Sequence, residues 1–473
     1  MILYYVGIDA LYEIENVVRI FYPHTELKEK QRDKTQKEYC FVRQSKYKVF
    51  IGYKIGNRQE GRVFELPKND AELIITQTLF KLLSFATGYK PEWGMLTGVR
   101  PVAFMRSFFA KDFSRPQVEQ IFKENYFVQS ERLALALNTV ELQQEIISFS
   151  APNAYSLYIS IPFCPSRCSY CSFVSQTTST EGHLIPTYIE VLCKELKNTA
   201  KLADKLNLKL ETVYIGGGTP TSLSEKELAT IFDVLHKYFP MNTIKEFTVE
   251  AGRRDTITTE KLNTIKKASV TRISINPQTL NDEVLVAVHR PHTAQDFYNA
   301  FELARKMGFN NINVDLIAGL PKDTLKSFEK TMQGIIKLKP ENITVHTLTL
   351  KRASDIVIEG EEAWVAEVSE MVRVSKKLLQ QEYQPYYLYR QKGTLQNLEN
   401  VGYSLKGKEC LYNIFIMEEV QTILSCGAGG STKLLRSGEK KINRIFNSKY
   451  PVDYIVNKEK LKTKDKEISE FFL

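Results

Sequence analysis

Six short apolar runs, "LYISIPF", "TVYIGGG", "FTVEAG", "RISINPQ", "INVDLIAGLP" and "ITVHTLTL", follow one another between residues 155 and 350. Each is rich in Ile and Val, and a segment long enough for a helix separates it from the next. That alternation predicts consecutive βα units around a parallel sheet. Six units are too few to close an eight-stranded barrel, so an open, partial α/β barrel is the expected architecture and a doubly wound sheet the alternative. Helix punctuation agrees with this frame: Ser224 with Glu227 and Thr293 with Asp296 have capping-box spacing, and Gly308 follows "FELARKM" where a C-terminal glycine belongs. Parallel α/β sheets gather their chemistry at the carboxyl ends of the strands. Taken in order, those ends carry Cys164, Gly216 to Thr219, Glu250, Gln278, Asp315 and His346.

The flanks read differently. Residues 1–90 are expected to form an N-terminal α+β module, with strands in "MILYYVG", "VVRIFY", "CFVRQ" and "YKVFIGYKI", the charged loop "KEKQRDKTQKE", and the helix "AELIITQTLFKLLSFATG". Residues 91–150 read as a helical connector, residues 151–350 as the barrel, and residues 351–473 as a C-terminal α+β extension. No apolar run reaches the roughly 18 residues of a membrane span, and the N-terminus lacks the pattern of a secretory signal, so a cytoplasmic protein is expected. The net charge of +9 is spread over lysine-rich patches without interleaved aromatics, which argues for a solvated surface and against a nucleic-acid partner.

Seven cysteines stand among the 473 residues, and three of them fall in "IPFCPSRCSYCSF" as Cys164, Cys168 and Cys171. Random placement would give such a C-x3-C-x2-C pattern with an expectation of roughly 0.0015. An odd count in a reducing compartment argues against disulfides and for metal ligands. Structural zinc prefers four ligands, and no second pair lies nearby; buried structural thiols are the other plain alternative. A 4Fe-4S cluster takes one thiolate per iron, so three cysteines would leave one iron open to another ligand.

These motifs resemble the radical S-adenosylmethionine (radical SAM) enzymes, with Tyr170 as the aromatic before the last cysteine and "GGGTPT" one βα unit later. The stretches "YISIPFCPSRCSYCSF", "YIGGGTPTSL", "FTVEAGRRD", "RISINPQTLNDEVLVAVHRPHT" and "NINVDLIAGLPKDT" are similar to the oxygen-independent coproporphyrinogen III oxidase family. The later segment "PYYLYRQKGTLQNLENVGYSLKGKECLYNIFIMEEVQTILSCGAGGSTK" and the N-terminal "WGMLTGVRP" resemble its HemZ-type branch. The resemblance implies a radical SAM partial barrel at 151–350 and a substrate or closure region at 351–473. It implies a 4Fe-4S cluster on Cys164, Cys168 and Cys171, and one or two molecules of S-adenosylmethionine. Tyr158, Gly217 and Glu250 would approach the first molecule, and Tyr170 is a further implied cofactor-binding residue. Gly218, Thr219, Gln278, Arg290, Asp315 and the backbone around Thr349 match positions that surround a second. Tyr158, Glu250 and Arg290 are the implied catalytic residues. The sequence departs from the oxidase pattern at Ser160, at Phe173 and in "INPQ", where Pro277 stiffens the backbone before Gln278.

The activity so implied is oxidative decarboxylation of two propionates of coproporphyrinogen III to vinyl groups, by a 5'-deoxyadenosyl radical and with a flavodoxin- or ferredoxin-type electron donor. Arg253, Arg254, Arg290, Lys351, Arg352 and Arg390 are candidate cations for the propionates, though most such residues are expected to be solvated surface. Tyr386, Tyr387 and Tyr389 are candidates for tetrapyrrole packing, with core packing the plainer role. The rival readings are a haem-binding chaperone, for which His289, His292 and His346 are the nearest axial ligands, and a radical methyltransferase or haem-degrading enzyme.

Overall fold

The computed structural model describes residues 1–30, 36–67, 70–171, 175–349, 361–391, 394–436, 438–439 and 441–473, with the side chains of 361–366 outside the description. Phe173, Lys351 and Arg352 therefore lie outside the described residues. The chain forms two compact units, residues 1–138 with 390–398 and residues 139–389 with 399–473.

In the first unit, strands β1 (Ile2–Val6), β2 (Glu26–Glu29), β3 (Tyr39–Gln44), β4 (Lys48–Ile55) and β5 (Arg58–Glu65) form a sheet in the order β2-β1-β3-β4-β5. Helices α1 (Leu11–Phe21) and α2 (Ala71–Thr87) bury Ile14, Val17, Val18, Leu79 and Leu83 in its core. The expected strand "VVRIFY" is part of α1. Its β-branched residues favour a strand locally, but Ile14, Val17, Val18 and Phe21 recur at helical spacing, and burial of that stripe outweighs intrinsic preference. Strand β5 carries no sequence signal, because its side chains are mostly exposed and show no apolar alternation. Helices α3 (Pro101–Phe109), α4 (Arg115–Glu124) and α5 (Ser130–Ser148) follow, the first unit ending at Asn138 within α5. Arg390 is buried in this unit: its guanidinium donates to the carbonyls of Leu96 and Asn397, and it is not a solvated cation.

The second unit is built on the six anticipated strands. They are β6 (Ala154–Ile161), then, after the short parallel pair β7 (Phe163–Cys164) and β8 (Gln176–Thr177), β9 (Lys209–Gly217), β10 (Glu246–Gly252), β11 (Arg272–Ile275), β12 (Ile312–Ala318) and β13 (Asn342–Thr347). All six pair in parallel and in sequence order. The intervening helices are α6 (Thr178–Glu181), α7 (Ile185–Lys205), α8 (Glu225–Tyr238), α9 (Thr259–Lys267), α10 (Asp282–Ala287), α11 (Ala294–Lys306) and α12 (Leu325–Lys337). Both capping boxes form: Glu227 N donates to Ser224 Oγ at 3.3 Å and Asp296 N to Thr293 Oγ1 at 3.2 Å. Gly308 takes φ +81° beyond α11, where a side chain would be strained.

The C-terminal extension adds strands to both edges of this sheet. After α13 (Glu361–Leu379), β14 (Gln384–Arg390) and β15 (Glu399–Ser404) extend it beyond β13, with β15 antiparallel. After α14 (Leu411–Glu418), β16 (Thr422–Cys426) pairs in parallel with β6, and β17 (Ser431–Leu434) and β18 (Asn443–Phe446) continue antiparallel from it. The result is one 11-stranded sheet with two separate ends, an open barrel.

Two buried charges fix this extension. Glu246 of β10 accepts from Leu411 N at 2.9 Å and Tyr412 N at 3.3 Å, so a carboxylate sits at the amino end of α14 where the helix dipole favours it. Glu195 of α7 meets helices α15 (Pro451–Val456) and α16 (Lys458–Phe472): it accepts from Lys464 Nζ at 2.5 Å, Tyr454 Oη at 2.5 Å, Asn447 Nδ2 at 2.8 Å and Gly427 N at 2.7 Å. Beside it, Tyr188 Oη donates to the Ser160 carbonyl at 2.7 Å, and the turn after β16 packs against the strand that leads to Cys164.

Candidate functional site

The cysteine loop leaves β6 at Pro162 and is closed at its base by the β7–β8 pair, with Gln176 N donating to Pro162 O at 2.8 Å. The glycine run at the end of β9 grips the same loop. Gly218 N donates to Ile161 O, and Thr219 N donates to Phe163 O, both at 2.8 Å. Thr219 Oγ1 donates to Cys164 Sγ at 3.4 Å. A Cβ on Gly218 would stand 2.6 Å from Phe163 O and 2.9 Å from Cys164 Sγ, and Gly217 adopts φ +116°. Only glycine lets these two backbones approach so closely. Loop 288–292 holds the other side of the cysteines. Ser169 N donates to Val288 O at 3.2 Å, and Arg290 Nη1 lies 2.8 Å from Tyr170 Oη and 3.7 Å from Cys168 Sγ. Arg253, a proposed propionate partner, is instead buried, donating to Ser166 O at 2.9 Å and paired with Asp255 at 3.0 Å. Among the described candidates, Arg254 is solvent-exposed, 3.2 Å from Asp296.

Glu250 sits two strands from the first cysteine and is covered by Tyr214 Oη, which donates to Oε1 at 2.7 Å. Burial raises its pKa from 4.5 to about 7; the Tyr214 and Gly217 hydrogen bonds oppose the rise and the nearby Asp315 adds to it. A Cβ on Gly216 would come within 2.9 Å of the Glu250 carboxylate, so the glycine run touches both the cysteines and the acid. For Asp315, burial tends to raise the pKa, yet His346, Asn313 and Thr344 outweigh it and hold the carboxyl low. His346 Nε2 is 3.8 Å from Asp315, and its Nδ1 is 3.3 Å from Tyr389 Oη. Gln278 follows β11 in the left-handed region at φ +70°, tied to β12 by its own backbone, with Ile317 N donating to Gln278 O at 2.9 Å. Its Oε1 is buried without a hydrogen-bond partner among the described residues. Thr349 Oγ1 donates to Thr347 O at 3.3 Å at the end of β13.

Tyr158 stacks in a ladder of three tyrosines: its ring centroid is 6.2 Å from Tyr214 and 6.0 Å from Tyr412, and the latter two are 4.5 Å apart. Burial, reinforced by the charge of Glu250, keeps the Tyr158 phenol neutral. Tyr386 and Tyr387 are core residues, packed with Tyr412 and Phe415. His292 is buried and its imidazole falls to about 4, because burial and then Arg290 and Arg253 disfavour its charge; His289 is exposed. Sequence reasoning missed Tyr214 and Tyr412. Tyr214 had a signal, since it stands two residues before Gly216 and strand alternation puts both on one face. Tyr412 had none, because its partners are more than 190 positions away.

These residues fit an iron–sulfur cluster and S-adenosylmethionine. All seven cysteines are thiols. Three thiols lie on one loop against a glycine cradle, with two carboxylates and an unpartnered amide oxygen on neighbouring strand ends. Among the described residues no three His, Cys, Asp or Glu converge tightly enough for a single metal ion. A cluster does not ask for that, since each thiolate binds a different iron.

A model of the radical SAM superfamily matches residues 158–335, and that superfamily implies an iron–sulfur cluster and S-adenosylmethionine. The oxygen-independent coproporphyrinogen-III oxidase-like protein HemZ of Bacillus subtilis is 39% identical over 402 residues, 84% of this chain and 79% of that protein. The heme chaperone HemW of Bacillus subtilis is 38% identical over 197 residues, 41% of this chain and 51% of that protein. Among solved structures, the coproporphyrinogen III oxidase HemN from Escherichia coli covers 68% of this chain and 72% of its own, with 20% identity and a TM-score of 0.49. No described helix is long and apolar enough to cross a membrane. With its three-cysteine loop, its open six-unit core and this extent of likeness, the chain belongs to the radical SAM superfamily and, within it, to the oxygen-independent coproporphyrinogen-III oxidase-like family that includes HemZ.

Proposed function

We propose that this protein is a cytoplasmic radical SAM oxidoreductase that converts two propionate side chains of coproporphyrinogen III to vinyl groups without oxygen. The observation that carries the reading is the meeting of the Cys164 loop, the glycine run and Glu250 at adjoining strand ends, within a chain similar to HemZ along most of its length. Cys164, Cys168 and Cys171 would hold a 4Fe-4S cluster. Tyr158, Tyr170, Gly217 and Glu250 would bind S-adenosylmethionine, and Gly218, Thr219, Gln278, Arg290 and Asp315 would border a second molecule.

Bound there, the cluster and S-adenosylmethionine would supply hydrogen-atom abstraction at the carbon β to a substrate carboxylate, with carbon dioxide released and the remaining electron passed to an external one-electron acceptor to leave the vinyl group. The chain's own contribution is position and exclusion of water. Glu250, covered by Tyr214 and poised near neutrality, can accept a cationic amino group as an ion pair. Gln278, with its unpartnered oxygen, offers an acceptor at the same rim. The stacked Tyr158, Tyr214 and Tyr412 pack beside Glu250, to which Tyr214 donates.

The test is an anaerobic assay of the reconstituted protein with S-adenosylmethionine, a reductant and coproporphyrinogen III, following 5'-deoxyadenosine and tetrapyrroles by mass spectrometry. Substrate-dependent 5'-deoxyadenosine with loss of two carbon dioxide units is expected, and Cys164→Ser, Cys168→Ser and Cys171→Ser should each abolish it together with the bound iron. The likeness to HemW favours a second reading, a haem chaperone. Stoichiometric haem binding, with the tetrapyrrole returned unchanged, would put that reading first.

A further inference from the structure

We infer that Arg290 is the counter-ion of Cys168 and sets the reduction potential of the cluster proposed above. The inference rests on that reading and goes beyond it, from a ligand contact to electronic control. Arg290 is buried, with 6% of its surface exposed. Its Nη2 donates to Asn276 O, and its Nη1 lies between Tyr170 Oη at 2.8 Å and Cys168 Sγ at 3.7 Å. Among the described residues no carboxylate pairs with it. A guanidinium cannot shed its proton, and a buried charge needs a compensating one. As a ligand of the proposed cluster Cys168 would be a thiolate, an anion within reach of the guanidinium.

The geometry is built for this contact. His289 takes φ +56°, Arg290 N donates to Leu285 O at 2.9 Å, and Val288 O receives Ser169 N, so the loop after α10 is locked onto the cysteine loop with the arginine between them. One electron from a ferredoxin- or flavodoxin-type donor takes a three-thiolate 4Fe-4S cluster from net charge −1 to −2. A fixed positive charge and an N–H···S contact at one thiolate favour the reduced state. Arg290 is thus a positioning residue that acts through Cys168 and brings the cluster within range of its donor.

The experiment is a redox titration of the anaerobically reconstituted protein, monitored by electron paramagnetic resonance without S-adenosylmethionine, on wild type, Arg290→Gln, Arg290→Met and Arg290→Lys. At the wild-type midpoint the reduced-to-oxidised ratio of the neutral variants should fall about tenfold, equivalent to about 59 mV for one electron, and Arg290→Lys should stay within about threefold of wild type. Neutral variants that load iron fully with an unchanged midpoint overturn the inference. If neither neutral variant loads iron while Arg290→Lys does, the charge is required at Cys168 and the inference stands. If none of the three loads, Arg290 is a structural clamp and the inference falls. A wild-type protein without a 4Fe-4S signal would refute the proposed function itself, an outcome distinct from an unchanged midpoint.

Discussion

Glu250→Gln should make the apoprotein more stable above pH 7 while removing its affinity for S-adenosylmethionine. The folded protein holds Glu250 at about 7, against 4.5 without burial. Below pH 4 the carboxyl is protonated in both folded and unfolded chains, and glutamine, of the same shape, changes little. As pH rises above 4.5 the unfolded chain ionises first, so the folded state loses stability until the pH passes the folded pKa near 7. At about 1.4 kcal/mol for each tenfold difference in acid constant, the whole loss is about 3 kcal/mol. The variant lacks this slope. The difference in unfolding free energy between variant and wild type, measured by urea denaturation of the reduced apoprotein from pH 4 to 8, should rise by about 3 kcal/mol in favour of the variant. Calorimetric titration at pH 7.5 should show S-adenosylmethionine binding weakened at least tenfold. A difference profile flat to within about 1 kcal/mol from pH 4 to 8 would refute the assignment of a high pKa to Glu250, whatever happens to binding.

Gly218→Ala places a methyl 2.6 Å from Phe163 O, a backbone atom that cannot step aside, so a loss of about 1–3 kcal/mol and reduced iron content are expected. Gly98→Ala, with open space around it, should change neither the melting temperature nor the iron. At the buried Lys464–Glu195 pair, Glu195→Gln strands the ammonium of Lys464 and should cost about 3–5 kcal/mol. Lys464→Met should cost less, because Tyr454, Asn447 and Gly427 still donate to Glu195, and the double variant should be more stable than the sum of the two predicts. Additive losses in urea denaturation would show that the pair does not act as a unit.

The six barrel strands were legible because most of their residues are buried and read as apolar runs between helix-length segments. Their carboxyl ends were legible for the same reason, which is why Cys164, Gly218, Glu250 and Asp315 could be named as neighbours before any contact was known. The strand expected in "VVRIFY" became helix α1 because one stripe of its side chains is buried against a sheet. Arg253 and Arg390, expected at the surface, are buried on backbone carbonyls. Composition identifies an arginine as charged, but its depth depends on what surrounds it.

The sequence by itself determined the spacing of the three thiols, the glycines that let backbone reach them and the succession of the βα units. All of these are local: they depend on residues a few positions apart or on a periodicity of two or 3.6. Only the tertiary structure decided that α14 brings Tyr412 onto Tyr158 and Tyr214, that Glu195 finds Lys464 269 positions away, and that Arg290 rests on Cys168. Those pairings fix charge and protonation, because a pKa or a buried ion pair depends on the three-dimensional arrangement of dipoles and solvent, and linear spacing carries no record of it.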